Sequence, residues 1–244
     1  MACRGRSRRS APTGSRVRKS RAEQKRETRE ALTLAALGAF ARDGYHGASL
    51  EGIANEAGFS KGAVYSNFGG KAELFLAVMD HNLQALRGAD WDPFAVPEPS
   101  GAPPFDPDGE PGEDAAEMVR GFGLAMLEFI ATAARDDKLI GLLRARVEVQ
   151  LNAYGRVAAS GRPEGEHLAV DDIAQLMTAL DQGVSVLRLS GIASVDGALM
   201  RTALRRLLDP ESAAVEPSPA RGGHAPHMPD IEWVRRLTRD TPDA

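Results

Sequence analysis

Residues 43–71 read DGYHGASLEGIANEAGFSKGAVYSNFGGK, and this stretch decides the fold. Gly44 suits the left-handed residue that ends a helix. Ser49 is a good N-cap for the next helix, and Glu51 in its first turn complements the helix dipole. That helix is short, Leu50 to Ala57, with Leu50, Ile53, Ala54 and Ala57 at i, i+3, i+4 and i+7. Gly58 allows a tight reversal, Phe59 faces inward, and Ser60 caps a third helix from Lys61 to about Asn67. Two short helices joined by a Gly-containing turn make a helix-turn-helix. The second helix of that motif normally enters the major groove of DNA. The groove-facing side is predicted to be Lys61, Gly62, Tyr65 and Ser66, with Ala63, Val64 and Phe68 turned mostly toward the core. Gly62 and Ala63 are small enough for the backbone to approach a duplex closely. A plain helical hairpin in a bundle has the same outline. The polar donors on the third helix and the basic chain before it favour nucleic acid.

Charge is distributed unevenly around this stretch. Residues 1–82 hold 14 Lys and Arg against 8 Asp and Glu, a balance of +6, whereas the remainder holds 16 against 26, a balance of −10. A basic N-terminal third joined to an acidic remainder points to a polyanionic partner at one end only. The first residues, MACRGRSRRSAPTGSRVRKSR, are basic without an apolar core, so they do not read as a secretory leader. Their Arg- and Ser-rich, acid-poor composition resembles a transit peptide, but no amphipathic stripe is visible. The longest mostly apolar run, Ala31 to Ala41, falls well short of the roughly 18 residues a membrane span needs. Cys3 is the only cysteine, so neither a disulfide framework nor a cysteine zinc site can be built. That suits a reducing, cytoplasmic setting.

The prolines mark out the folded parts. Of 15, seven lie between Pro93 and Pro111 and six lie at or after Pro210. Proline breaks helix interiors, so residues 21–87 and 113–208 are free to be helical, with a break near Pro163. Inside them the apolar period is helical: Leu32, Ala36 and Phe40; Met118, Phe122, Met126, Phe129 and Ala133; Leu139, Leu143, Val147 and Leu151. No segment alternates with period two, so the fold class is all-α. The expected organisation is a disordered basic arm at 1–22, a helix-turn-helix domain at 23–87 and a Pro/Gly-rich acidic loop at 88–112. A C-terminal helical domain at 113–208 and a mostly disordered tail at 209–244 follow, the tail carrying a short helix around Ile231 to Leu237.

The run from about Thr28 to Met79 resembles the DNA-binding domain of TetR-family transcriptional regulators. The family pattern F-x-x-x-G-Y-x-x-[AT]-[ST] is met by Phe40, Gly44, Tyr45, Ala48 and Ser49. The pattern I-A-x-x-A-G-[VF]-S-x-G-x-[LV]-Y is met by Ile53, Ala54, Ala57, Gly58, Phe59, Ser60, Gly62, Val64 and Tyr65. Phe68, Lys71 and Leu74 complete it. Asn67 departs from the His that many members carry there, but can still donate to a phosphate. The resemblance implies that Ser49 and Tyr65 donate to phosphates and that Lys71 clamps the DNA backbone. Ser60, Lys61, Gly62 and Ser66 would sit where bases or adjacent phosphates are read, Lys61 being the candidate for a guanine. It also implies a C-terminal ligand-binding and dimerisation domain, and a repressor released by a small molecule. A helical small-molecule-binding or interaction protein whose helix-turn-helix no longer binds DNA is the alternative.

In the C-terminal part, Phe122, Met126, Phe129, Arg144, Glu148, Asn152 and Met177 are the candidate ligand-pocket residues, polar groups set among apolar stripes. Ile173, Leu176, Leu180, Val184 and Leu187 form one further stripe, and Met200, Ala203, Leu204 and Leu207 another. Paired across a two-fold axis, these are expected to form the dimer interface. No catalytic motif is present, and the carboxylate pairs Asp136/Asp137 and Asp171/Asp172 read as helix starts. His224 and His227 lie in a Pro/Gly tail, so no metal and no cofactor is expected. Operator DNA, a small-molecule effector and a second copy of the chain are the expected partners.

Overall fold

Ser20 opens the first helix. Its Oγ accepts from the Glu23 N–H at 3.2 Å while the Glu23 carboxylate accepts from the Ser20 N–H at 2.7 Å, a reciprocal cap that fixes where the helix begins. The computed structural model describes residues 20–95, 111–190 and 195–217. All regular elements among them are helical. In order they are α1 (Arg21–Gly47), α2 (Leu50–Glu56), α3 (Lys61–Asn67), α4 (Lys71–Asn82), a 3-10 turn at Ala85–Arg87, α5 (Pro111–Ala133), α6 (Asp137–Gly161), α7 (Val170–Leu189), α8 (Gly197–Leu208) and α9 (Pro210–Ala214). No helix among the described residues is long and apolar enough to cross a membrane.

Local chemistry sets most boundaries. Asp136 accepts from the Lys138 and Leu139 N–H groups and caps α6; Asp196 accepts from Leu199 and caps α8. Asp171 and Asp172 fall in the first turn of α7, as a dipole partner should. Pro111 stands at the first position of α5, where its missing N–H is no loss. Pro163 lies in the break between α6 and α7.

The apolar residues gather into two clusters. The first joins α1–α4 to α5 and the start of α6, around Phe40, Phe75 and Phe129. Phe75 packs its ring against Phe40, Tyr45, Phe122 and Phe129, with centroids 4.6–5.3 Å apart. The second joins the end of α6 to α7 and α8, around Tyr154, Ile173, Met177, Met200 and Leu204. The division therefore falls within the segment 113–208, not before it. Phe122, Ala125 and Phe129 of α5 complete the core of the N-terminal domain, Phe122 and Phe129 stacking on Phe75.

Three expectations are corrected here. Arg21 and Ala22 belong to α1 rather than to the arm, because the Ser20 cap starts the helix ahead of them. The beginning of the 88–112 loop is not a bare linker, since Trp91 and Phe94 pack on the second cluster. The tail begins with an ordered turn of helix, α9, whose Ala213 is buried and whose cap is Asp209. The rest of the arm, the acidic loop beyond residue 95 and the helix expected around Ile231 to Leu237 lie outside the described residues.

Candidate nucleic-acid interface

The helix-turn-helix is α2, a reversal at Gly58 (φ 75°) and α3. Ile53, Ala54, Val64 and Phe68 are buried beneath it, which fixes the opposite side of α3 outward. Tyr65 stands on that side and is 56% exposed. A side chain of its size held so open on a short, anchored helix suits contact with a partner better than packing. Lys61 is beside it, half exposed and 3.8 Å from Glu51 across the motif. An exposed ion pair of that length is weak and readily exchanged for a stronger acceptor. A Cβ added at Gly62 would meet nothing closer than Ser60 Oγ at 3.6 Å. The glycine is therefore not demanded by packing, and it leaves the surface low.

The hydroxyls differ in what they have left to give. Ser49 Oγ accepts the Gly52 N–H at 3.0 Å as the N-cap of α2, which leaves its own proton available to a phosphate. Ser60 takes the N-cap position of α3 without a side-chain cap bond. Ser66 turns back and donates to the Ala63 carbonyl at 3.0 Å.

Two of the side chains assigned to DNA are already engaged inside the domain. Asn67 is half-buried and donates through Nδ2 to the Ala63 carbonyl at 2.8 Å and to Ser66 Oγ at 3.4 Å. The Arg29 guanidinium donates to its backbone carbonyl and stacks 4.1 Å over Phe68. Asn67 thus spends its amide protons on the last turn of α3. Lys71 does not project freely either. Its ammonium donates to the carbonyls of His46 and Ala48 at 3.0 and 3.1 Å and lies 5.1 Å from the centre of the Tyr45 ring. The end of α1 exposes unpaired carbonyls, and the lysine across the motif is drawn to them.

Sequence reading missed the partners contributed by distant helices. Glu128 on α5 accepts the backbone N–H of His46 at 3.0 Å, and Thr132 Oγ1 lies 3.4 Å from His46 Nε2. On α6, Arg146 pairs with Asp80 of α4 at 2.5 Å and donates to the Leu76 carbonyl at 3.3 Å. Arg156 binds the Leu86 and Gly88 carbonyls at 2.6 and 3.0 Å. A shallow groove of about 470 Å³, lined by Gln24, Lys25, Thr28, Phe59, Ala63, Ser66 and Asn67, runs between the start of α1 and α3.

The seven candidate pocket residues are not brought together. Phe122 and Phe129 are buried in the first cluster with Met126 against them, and Met177 is buried in the second. Arg144, Glu148 and Asn152 are exposed. A different polar group sits between α6 and α7. Gln150 donates to Asp181 at 2.7 Å, Gln182 donates to Gln150 at 2.9 Å, and the buried Tyr154 bonds Asp181. Burial pushes the Asp181 carboxyl up to about 6, and burial first, then the Asp181 charge, raises the Tyr154 phenol. Trp91 packs edge-on against Tyr154 at 5.1 Å.

The interface stripes also divide. Ile173, Met200 and Leu204 are buried within the subunit, because α7 and α8 cover each other and the end of α6. Leu180, Val184, Ala203 and Leu207 are half-buried, while Leu176 and Leu187 remain 46% and 40% exposed with Val186 beside them. Among the described residues no cluster of three or more His, Cys, Asp or Glu able to hold a metal occurs.

Residues 32–78 match the family model for bacterial regulatory proteins of the tetR family. The chain is 42% identical over 60 residues to the HTH-type transcriptional activator FasR of Mycolicibacterium smegmatis, covering 25% of this chain and 27% of FasR. It is 47% identical over 63 residues to the HTH-type transcriptional regulator TtgW of Pseudomonas putida, covering 26% of this chain and 46% of TtgW. The chain thus spans about a quarter to a half of the length of these curated relatives. The fold is similar to that of a Rhodococcus protein described as a TetR-family transcriptional regulator. There the TM-score is 0.51 at 22% identity, over 73% of this chain and 95% of that one.

Proposed function

We propose that the chain is a TetR-family transcriptional regulator, as the family match over residues 32–78 supports, and that it works as a homodimeric repressor released by a small molecule. The observation that carries this reading is the outward face of α3, where Tyr65, Lys61 and Gly62 stand open above a fully packed helix-turn-helix. Ser49 and Tyr65 donate to phosphates and set the register, and Ser60 and Lys61 approach the bases. Phosphate contacts position a protein, and base-edge contacts specify the sequence. Lys71 acts mainly from within, holding the corner between α1 and α2, with one ammonium proton left for the DNA backbone.

A single motif reads too few base pairs to find one site in a genome, so two copies act together on a palindrome. The exposed Leu176, Val186 and Leu187 on α7 supply the apolar surface for that pairing. The effector enters the C-terminal domain, and the polar group of Gln150, Tyr154 and Asp181 is the chemistry it meets there. Since DNA is the target, the protein acts in the cytoplasm.

Selection of duplexes from a random pool by the full-length protein tests the reading. Enrichment of a palindrome with half-sites about one helical turn or more apart supports it. Failure to enrich any sequence at low salt overturns it.

A further inference from the structure

We propose that Glu128 on α5 is a positioning residue for the DNA-binding face, holding the corner from which the helix-turn-helix departs; the proposal rests on the DNA-binding reading above. The regular part of α1 ends at Gly44 (φ 73°, ψ 173°), and the Ala48 N–H closes one further turn onto the Gly44 carbonyl at 3.2 Å. Ser49 then caps α2. The orientation of residues 44–48 therefore sets where Ser49, α2 and α3 lie.

Two charged side chains from different helices grip this corner through the same residue. The His46 carbonyl accepts from Lys71 of α4, and the His46 N–H donates to Glu128 Oε2 at 3.0 Å. Both backbone groups of His46 thus end on full charges of opposite sign, the stronger kind of hydrogen bond. Gly44 makes the room: a Cβ there would lie 2.8 Å from Glu128 Oε1. Thr132, one turn further along α5, donates to the Glu128 carbonyl at 2.9 Å and faces the His46 ring.

The helices themselves do not need Glu128 to associate. Phe122, Ala125 and Phe129 of α5 are buried beside it in the first cluster, and Gly121 lets α5 come so close that a Cβ there would fall 2.0 Å from the Ala41 carbonyl oxygen. Apolar packing joins α5 to α1. The carboxylate selects one orientation of the peptide that follows.

The test uses the full-length protein and the duplex that the wild type enriches from a random pool. Glu128→Ala is expected to bind that duplex about tenfold more weakly, because a charge-assisted bond is lost. Glu128→Gln, whose amide oxygen still accepts the His46 N–H but without the charge, is expected to lose clearly less, about threefold. Hydrogen exchange supplies a DNA-free readout. In Glu128→Ala the His46 amide and those of 47–52 should exchange faster, while the amides of α5 keep their protection. Wild-type affinity in Glu128→Ala, or equal losses in both variants, overturns the proposal. If the wild type enriches no duplex, the DNA-binding reading fails by itself. Unchanged exchange at His46 in Glu128→Ala would then overturn the positioning role independently.

Discussion

Lys61 and Lys71 are the first residues of α3 and α4, ten positions apart, and the structure uses them differently. Lys61 meets a single exposed carboxylate at 3.8 Å. Lys71 gives two of its three donors to the carbonyls of His46 and Ala48. Lys61→Ala should relax the preference at one base pair per half-site, by about 1–3 kcal/mol for a good base contact, and leave the thermal midpoint alone. Lys71→Ala should lower the midpoint and weaken all duplexes alike. Affinities on duplexes changed one position at a time, beside a melting curve for each variant, separate the two roles. A uniform loss for Lys61→Ala would remove it from base readout.

The same scale shows where sequence ceases to be legible. The caps at Ser49 and Asp136, the reversal at Gly58 and the buried side of α3 follow from neighbours within a few residues, so they can be read directly. The partner of Lys71 lies 25 residues away and that of the His46 N–H 82 residues away. Nothing in local spacing marks Glu128, which sits at an ordinary polar position of an amphipathic helix. Asn67 shows a related limit: its residue type fits a phosphate donor, and spacing alone does not reveal that its amide already has an acceptor in its own helix.

Among the elements, α7 and α8 show what periodicity leaves open. A stripe says that a face will be covered and does not say by what. Leu204 is fully buried inside the subunit, whereas Leu176 is 46% exposed, although both lie on clean stripes. A charge at Leu204 should therefore lower the unfolding midpoint sharply, by the several kcal/mol typical of a buried charge without a partner. Leu176→Glu should leave the midpoint of the isolated subunit nearly unchanged and shift sedimentation from dimer to monomer. A dimeric Leu176→Glu protein would move the interface elsewhere.

Between α6 and α7, Asp181 offers a pH test. Its folded-state value of about 6 lies above its ordinary 3.8, chiefly through burial, and the bonds from Gln150 and Tyr154 offset only part of the shift. The folded chain therefore holds this proton more tightly than the unfolded one. The contribution is fully present below about pH 4 and is lost as pH rises to about 6, amounting to at most about 3 kcal/mol. Asp181→Asn removes that loss while keeping an oxygen for Gln150 or Tyr154. Its denaturation midpoint should gain on wild type between pH 4 and 7 and stay level above. A difference independent of pH would show that Asp181 is ionised at no cost.

At the scale of the whole molecule, the aromatic group of Phe40, Tyr45, Phe75, Phe122 and Phe129 makes the N-terminal domain and α5 one body. Arg146 and Arg156 tie α6 to the end of α4 and the turn after it. The helix-turn-helix shares this body's core through Ile53, Ala54, Val64 and Phe68. The sequence resemblance covers only the first of these bodies; the way it is joined to the second is visible only in three dimensions.

The most direct test is a titration of the full-length protein with the duplex it enriches and with a scrambled duplex of equal length and composition, at the same salt. Specific readout by the open face of α3 predicts at least about a thousandfold tighter binding to the enriched duplex, with both half-sites protected at saturation. Equal affinity for the two duplexes, falling in parallel as salt rises, would contradict it and leave only the attraction of a basic surface for phosphate.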